Sequence, residues 1–318
     1  MKIAFFGTWD FSKNILEWIL QNKTVEVALV VSQPDKPIGR KKIITPTAVK
    51  ILAEENNIPV LQPDKLKNNT DFFNVLQQWE FDFLVVVAYG KIVPIEVLNA
   101  PKTACINIHW SILPAYRWAS PIQEAVKNWD SKTWLTIMYM SEWMDEWDIL
   151  KIEEVNIKRD DTTLDIFNKF QDIWAEVLIQ TLEWVLSWKI QWKKQDDSKA
   201  SYCSKIEKED GNIDFSKNVQ EIYNLHKAYK AWPGIFTKYN GKKFSIEKCD
   251  FIDCEILEEW VFEIWDVVEY SNHWIDSIWI ACGSWILLLE QIKLEWKKSM
   301  DINSFINGNK DFLDYNFN

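Results

Sequence analysis

The polar residues best equipped to act together lie in Asn107-Ile108-His109-Trp110-Ser111-Ile112-Leu113-Pro114, at the end of an apolar run. In a strand, alternation puts Asn107 and His109 on one face, two residues apart. A carboxylate, Asp145, follows in Met144-Asp145-Glu146-Trp147-Asp148, again just beyond an apolar run. An amide can polarise a carbonyl, an imidazole can move a proton, and a carboxylate can orient the imidazole; together they are suited to acyl transfer. Taken singly, each reads as a turn, a cap or a structural histidine, and their joint placement at strand ends is what points to chemistry. Other chemistries are poorly provided for. The three histidines, His109, His226 and His273, do not make a metal centre. Five cysteines (Cys105, Cys203, Cys249, Cys254, Cys282) form an odd set without a CxxC pair and read as reduced thiols.

The elements that must position these residues alternate along the first half. Residues 2–6, 25–31, 83–88, 104–108 and 135–140 are apolar, β-branched runs expected as buried strands, with helical patterns around 15–20 and 46–56 between them. Strands alternating with helices predict an α/β fold with a doubly wound parallel sheet, Rossmann-like, whose ligands bind beyond the carboxyl ends of the strands. Helical periodicity runs through 162–186, and the polar stretch from Lys189 to Ser201 reads as a connection between domains. Beyond it, a helix near 219–230 and short runs at 237–239, 244–246, 260–264, 278–282 and 286–289 predict a small OB-like β-barrel. The expected organisation is a catalytic domain over 1–188, a linker over 189–205 and a barrel domain over 206–318.

A chain of 318 residues has room for about two domains, and 47% hydrophobic with 26% charged residues is a globular composition, not a disordered one. No apolar run approaches the ~18 residues of a membrane span, and Ile3-Ala4-Phe5-Phe6 is too short for a signal-peptide core, so a cytoplasmic protein is expected. One feature is out of proportion: 20 Trp against 8 Gly, where glycine usually makes up ~7% of a chain. Many tryptophans stand in turn contexts, such as Asn128-Trp129-Asp130, Ser187-Trp188-Lys189 and Asn272-His273-Trp274. The pattern is that of glycines encoded by UGA and rendered as tryptophan, and reading every Trp except Trp232 this way restores a glycine share of roughly 8%. The alternative is a genuinely tryptophan-rich binding protein without catalytic activity. The Trp-Asp pairs lack the ~40-residue period of a propeller.

The segment Asn107-Ile108-His109-x-Ser111-x-Leu113-Pro114, continued by Tyr116-Arg117-Trp118-Ala119-Ser120-Pro121-Ile122-Gln123, resembles the signature of the folate-dependent formyltransferases. Further segments resemble the members of that family that act on methionyl-tRNA. They are Phe5-Phe6-Gly7-Thr8, the stretch from Gln33 to Lys42, Val86-Val87-Ala88-Tyr89-Gly90-Lys91-Ile92, Lys208-Glu209-Asp210-Gly211, Ile213-Asp214-Phe215-Ser216, Trp232-Pro233-Gly234-Ile235-Phe236-Thr237 and Leu294-Glu295-Trp296-Lys297-Lys298. The resemblance departs at Trp118, Trp129, Trp134, Trp143, Trp147 and Trp296, where the family has glycine, whereas at Trp232 the family also has tryptophan. It implies 10-formyltetrahydrofolate as formyl donor, the α-amine of methionine on initiator tRNA as acceptor, and no metal. It further implies catalytic roles for Asn107, His109 and Asp145, and a folate-pocket lining of Ser111, Ile112, Leu113 and Pro114.

The net charge of −11 opposes a nucleic-acid partner only on average, because local patches decide such binding. Lys36, Arg40, Lys41 and Lys42 form a basic loop within the stretch that resembles the family's acceptor-arm loop, and Arg40 is one of only three arginines. Lys227, Lys230, Lys238, Lys242, Lys243, Lys297 and Lys298 give the second domain another basic zone expected to contact phosphates. The nearest rival is an amino-sugar nucleotide formyltransferase, which shares an Asn-His-Asp site but has no use for a long basic arm. A single-chain, monomeric enzyme is expected.

Overall fold

The computed structural model describes residues 1–39, 41–140, 146–171, 173–252, 263–272 and 275–317. The chain divides into two compact units, one formed by 1–121, 132–156 and 167–203, the other by 122–131, 157–166 and 204–318.

The first unit begins with β1 (Lys2–Phe6), α1 (Asp10–Gln21), β2 (Glu26–Val31), the short ribbon β3 (Lys36–Ile38) and β4 (Ile43–Thr45), α2 (Ala48–Glu55) and β5 (Val60–Leu61). It continues with α3 (Thr70–Trp79), β6 (Phe83–Val86), α4 (Ile95–Leu98), β7 (Ala104–His109) and β8 (Arg117–Trp118). After α5 (Pro121–Lys127) come β9 (Lys132–Tyr139), β10 (Ile149–Asn156), α6 (Thr163–Gln171), α7 (Trp174–Leu186) and β11 (Tyr202–Cys203). Seven strands form one sheet in the order β10-β9-β7-β6-β1-β2-β5. Its centre is wholly buried along β6 and most of β1, as expected of near-continuous apolar strands covered on both faces. Helix α1 turns Ile15, Leu16 and Ile19 inward, and α2 starts at Thr47, whose hydroxyl accepts from the Lys50 N–H.

The sheet is parallel only from β7 to β5; β9 runs antiparallel to both β7 and β10, so the run at 135–140 expected in the parallel sheet is instead one arm of a hairpin. The hairpin follows from loop length, because the chain between β9 and β10 is shorter than the dozen residues a parallel return needs. Residues 122–131, which include most of α5, belong by contact to the second unit. The helical periodicity over 162–186 resolves into α6 and α7, with Ile173 as N-cap of the second. The polar stretch read as a connection is laid along the first unit: Lys193 and Ile149 exchange backbone hydrogen bonds of 2.8 Å, and β11 pairs with β8.

The second unit has α8 (Val219–Tyr229), then β12 (Ile235–Tyr239), β13 (Lys242–Ile252), β14 (Val267–Asn272), β15 (Ile275–Ala281), β16 (Ile286–Leu294), β17 (Met300–Asp301) and α9 (Ile302–Asn307). The strands form an antiparallel sheet in the order β12-β13-β16-β15-β14 with β17 on β16. Among the described residues β12 and β14 are not paired with each other, so the sheet seen is open along that seam. Its core joins Phe244, Phe305 and Phe312 with Ile278, Leu287 and Leu289. Of the run expected at 260–264, residues 260–262 lie outside the described residues and 263–264 are not strand; β14 begins at Val267 instead.

Candidate active site

The carboxyl ends of β1, β6 and β7 lie on one edge of the parallel block. Asn107 stands in register beside Val86, the last residue of β6, and donates from Nδ2 to its carbonyl over 3.0 Å. His109 closes β7 two residues later, on the same face of the strand, and is buried. Its Nε2 lies 2.9 Å from the carbonyl oxygen of Tyr116. A carbonyl can only accept, so Nε2 carries a proton and donates it to the loop that follows the strand.

That loop is tied down along its length. The Thr136 hydroxyl donates to the Ser111 carbonyl (2.5 Å), and the Ser111 hydroxyl donates to the Ala115 carbonyl (2.6 Å). Trp110 packs edge-on against Phe11 with ring centres 4.3 Å apart, and Leu113 joins Met138, Trp147 and Ile149 in a small apolar cluster. Of the four residues expected to line a folate pocket, Ser111 and Leu113 are thus turned inward, and Ile112 and Pro114 are half-buried.

Arg117, at the far end of the loop, is 1% exposed and acts as a clamp that the sequence reading passed over. Its Nη2 donates to Gln195 (2.9 Å) and Asp197 (2.6 Å), and its Nη1 lies 3.5 Å from Glu146 and 3.4 Å from the Tyr202 hydroxyl. The guanidinium is kept charged against the opposing effect of burial by the Asp197 and Tyr202 hydrogen bonds. The only signal in the sequence was the rarity of arginine, which singled out Arg40 instead.

A second polar group sits beside β1 and β6. The Tyr89 carbonyl accepts from the Thr8 hydroxyl and from Gln33 Nε2, each at 2.8 Å. Asp35 is held below the usual carboxylate range by hydrogen bonds from Gln62 and Lys50. Burial pushes the Tyr89 phenol up to about 12, so it stays protonated at neutral pH. Lys41 and Lys42 are exposed in the turn of the β3–β4 ribbon, whose Ile38, Ile43 and Ile44 are exposed as well. Arg40 and Asp145 lie outside the described residues, so of the expected trio the structure brings together Asn107 and His109.

The basic zone expected in the second unit needs one correction. Lys227 is buried, donates to the Arg159 carbonyl over 2.7 Å, and sits 5.2 Å from the Tyr223 ring centre. Burial pushes its amine down to about 8. It faces inward because helix periodicity places it on the packed side of α8 with Tyr223, so it is unavailable to phosphates. Lys230, Lys238, Lys242, Lys297 and Lys298 are exposed.

Residues 1–182 match the formyl transferase family, and residues 205–310 match the formyl transferase C-terminal domain. The chain belongs to the formyl transferase family. Among its relatives is a methionyl-tRNA formyltransferase of Caldicellulosiruptor saccharolyticus, 39% identical over 310 residues that cover 98% of this chain and 97% of that one. A methionyl-tRNA formyltransferase of Sulfurimonas denitrificans is 39% identical over 311 residues, with the same coverage of 98% and 97%. Among solved structures, WlaRD, a sugar 3N-formyl transferase, superposes with a TM-score of 0.63 at 19% identity, over 94% of this chain and 99% of that one. That likeness speaks for the fold.

Proposed function

We propose that this protein transfers a formyl group from 10-formyltetrahydrofolate to the α-amine of methionine on initiator tRNA. The observation that carries the reading is the pair Asn107 and His109, side by side at the carboxyl end of β7, in a chain whose relatives of that name align over nearly its whole length. Asn107 Nδ2 is the donor for the formyl oxygen, which gains negative charge as the amine attacks the formyl carbon; it has only to exchange the Val86 carbonyl for that oxygen. His109, with Nε2 held by Tyr116, takes the amine proton, directly or by a water, and passes it toward the leaving folate nitrogen. Asp145 is assigned the task of steadying the imidazolium on the strength of the family resemblance. Ile112 and Pro114, half-buried beside the inward-turned Ser111 and Leu113, offer the surface for the folate.

Arg40, Lys41 and Lys42 take the tRNA phosphates, positioning the acceptor end without reading sequence. Domain limits of 1–188 and 206–318, a monomeric cytoplasmic state and independence of metal belong to the same reading. The test is formylation by the purified protein, with methionylated initiator tRNA and an amino-sugar nucleotide offered in parallel. N-formylmethionyl-tRNA as product supports the reading. A formylated sugar nucleotide with unreacted tRNA overturns it.

A further inference from the structure

The left-handed backbone region disfavours L side chains through a clash at Cβ and is populated chiefly by glycine, with Asn and Asp as the commonest exceptions. Thirteen non-glycine residues adopt positive φ among the described residues, and six of them are tryptophan: Trp118 (86°), Trp129 (56°), Trp188 (54°), Trp265 (78°), Trp285 (69°) and Trp296 (65°). An indole gains nothing from this conformation, since it has no short polar arm to bond its own backbone.

The hydrogen bonds around these positions name the motifs. After α5, the Trp129 N–H bonds the Val126 carbonyl and the Asp130 N–H bonds the Ala125 carbonyl. After α7, the Trp188 N–H bonds the Val185 carbonyl and the Lys189 N–H bonds the Trp184 carbonyl. Both are the paired bonds of a Schellman cap, with tryptophan at the position that glycine ordinarily occupies. Trp265 and Trp296 are each the third residue of a four-residue turn closed by a backbone bond, Asp266 to Glu263 and Lys297 to Leu294. Positive φ at that third residue alone is the type II pattern, which requires glycine or asparagine there. Trp285 ends the hairpin loop between β15 and β16, where its carbonyl accepts from the Cys282 N–H.

Exposure and polar satisfaction agree with the backbone. Trp188 is 93% exposed and Trp296 78%, although tryptophan is highly buried on average. Where indoles are buried, Trp147 and Trp174 leave their N–H groups without an acceptor among the described residues. Trp232 is not at positive φ, nor are the described tryptophans outside these six; it is set apart by the family resemblance, in which that position is also tryptophan.

We infer that positions 118, 129, 188, 265, 285 and 296 are glycine in the protein as its own cells make it, the codon UGA being read there as glycine, whereas position 232 is tryptophan. The backbone at these six places is then unstrained, and the two caps and two turns carry the residue their geometry calls for. The experiment is peptide mass spectrometry of the protein isolated from its source, together with its coding sequence. Tryptic peptides over 128–132 and 294–297 should each be lighter by the difference between tryptophan and glycine, and the peptide holding residue 232 should retain the tryptophan mass. The six codons should be UGA and that for residue 232 UGG. Tryptophan masses at 129 and 296 overturn the inference whatever the codons are, as do UGG codons at all seven positions.

Discussion

Trp188→Gly isolates a backbone effect, because the indole it removes is 93% exposed and takes almost no packing with it. Residue 188 sits at φ 54° with both Schellman bonds formed, at 3.2 and 2.9 Å, so the cap is already in place and only the Cβ is out of keeping. Holding an L side chain in that region costs about 1–2 kcal/mol. Glycine relieves that strain but adds freedom to the unfolded chain, which returns about 0.4–1 kcal/mol. The net stabilisation should be about 0.5–1 kcal/mol, which for a unit of this size raises the melting temperature by about 2 °C. Trp188→Ala serves as the control: it removes the same indole but keeps the Cβ, and should leave stability nearly unchanged. Trp188→Asn should fall between them, since asparagine tolerates left-handed backbone. The assay is urea and thermal unfolding of the three variants beside the parent. If glycine and alanine prove equal, the strain is absent and the argument from φ fails.

Asn107→Ala should lower kcat by ~10²–10³ with tRNA affinity near the parental value, because its amide acts on charge that develops during transfer; a matching loss of affinity in a tRNA-binding titration would refute that role. Arg117→Met should destabilise the first unit by about 2–3 kcal/mol and reduce turnover at saturating substrate, since the Tyr116 carbonyl beside it holds His109 Nε2; a variant as stable and active as the parent removes Arg117 from the account. Burial, with Lys230 and Lys227 adding to it, pushes His226 down from 6.5 to about 4. The unfolded chain therefore binds this proton first, and stability should fall as the pH is lowered from about 6.5 toward 4, by on the order of 3 kcal/mol; His226→Asn should flatten that acid limb in pH-dependent melting. Binding of tRNA should weaken steeply with salt, and replacing Lys41 and Lys42 by alanine should make the log–log slope shallower by about 1.5 if both contact phosphates, whereas an unchanged slope moves the phosphate contacts elsewhere.

The sequence by itself determined the elements whose signals are local. Continuous β-branched runs gave the buried strands β6 and β7, and the period of two put Asn107 and His109 on one face before any neighbour was known. The excess of tryptophan over glycine, and its turn contexts, were also a matter of composition alone. Tertiary structure decided what depends on partners far along the chain. Strand direction was one such matter: β9 runs antiparallel to both of its neighbours, and its own apolar run does not report which way it points. Lys227 was another, read as a surface cation but buried under Tyr223 by the face that α8 presents to its sheet. The clamp at Arg117 joins residues 78 and 80 positions apart to the loop that holds His109. No local pattern reports such pairing, because hydrogen bonds between distant side chains leave no period in the sequence; they exist only once the sheet has set its loops side by side.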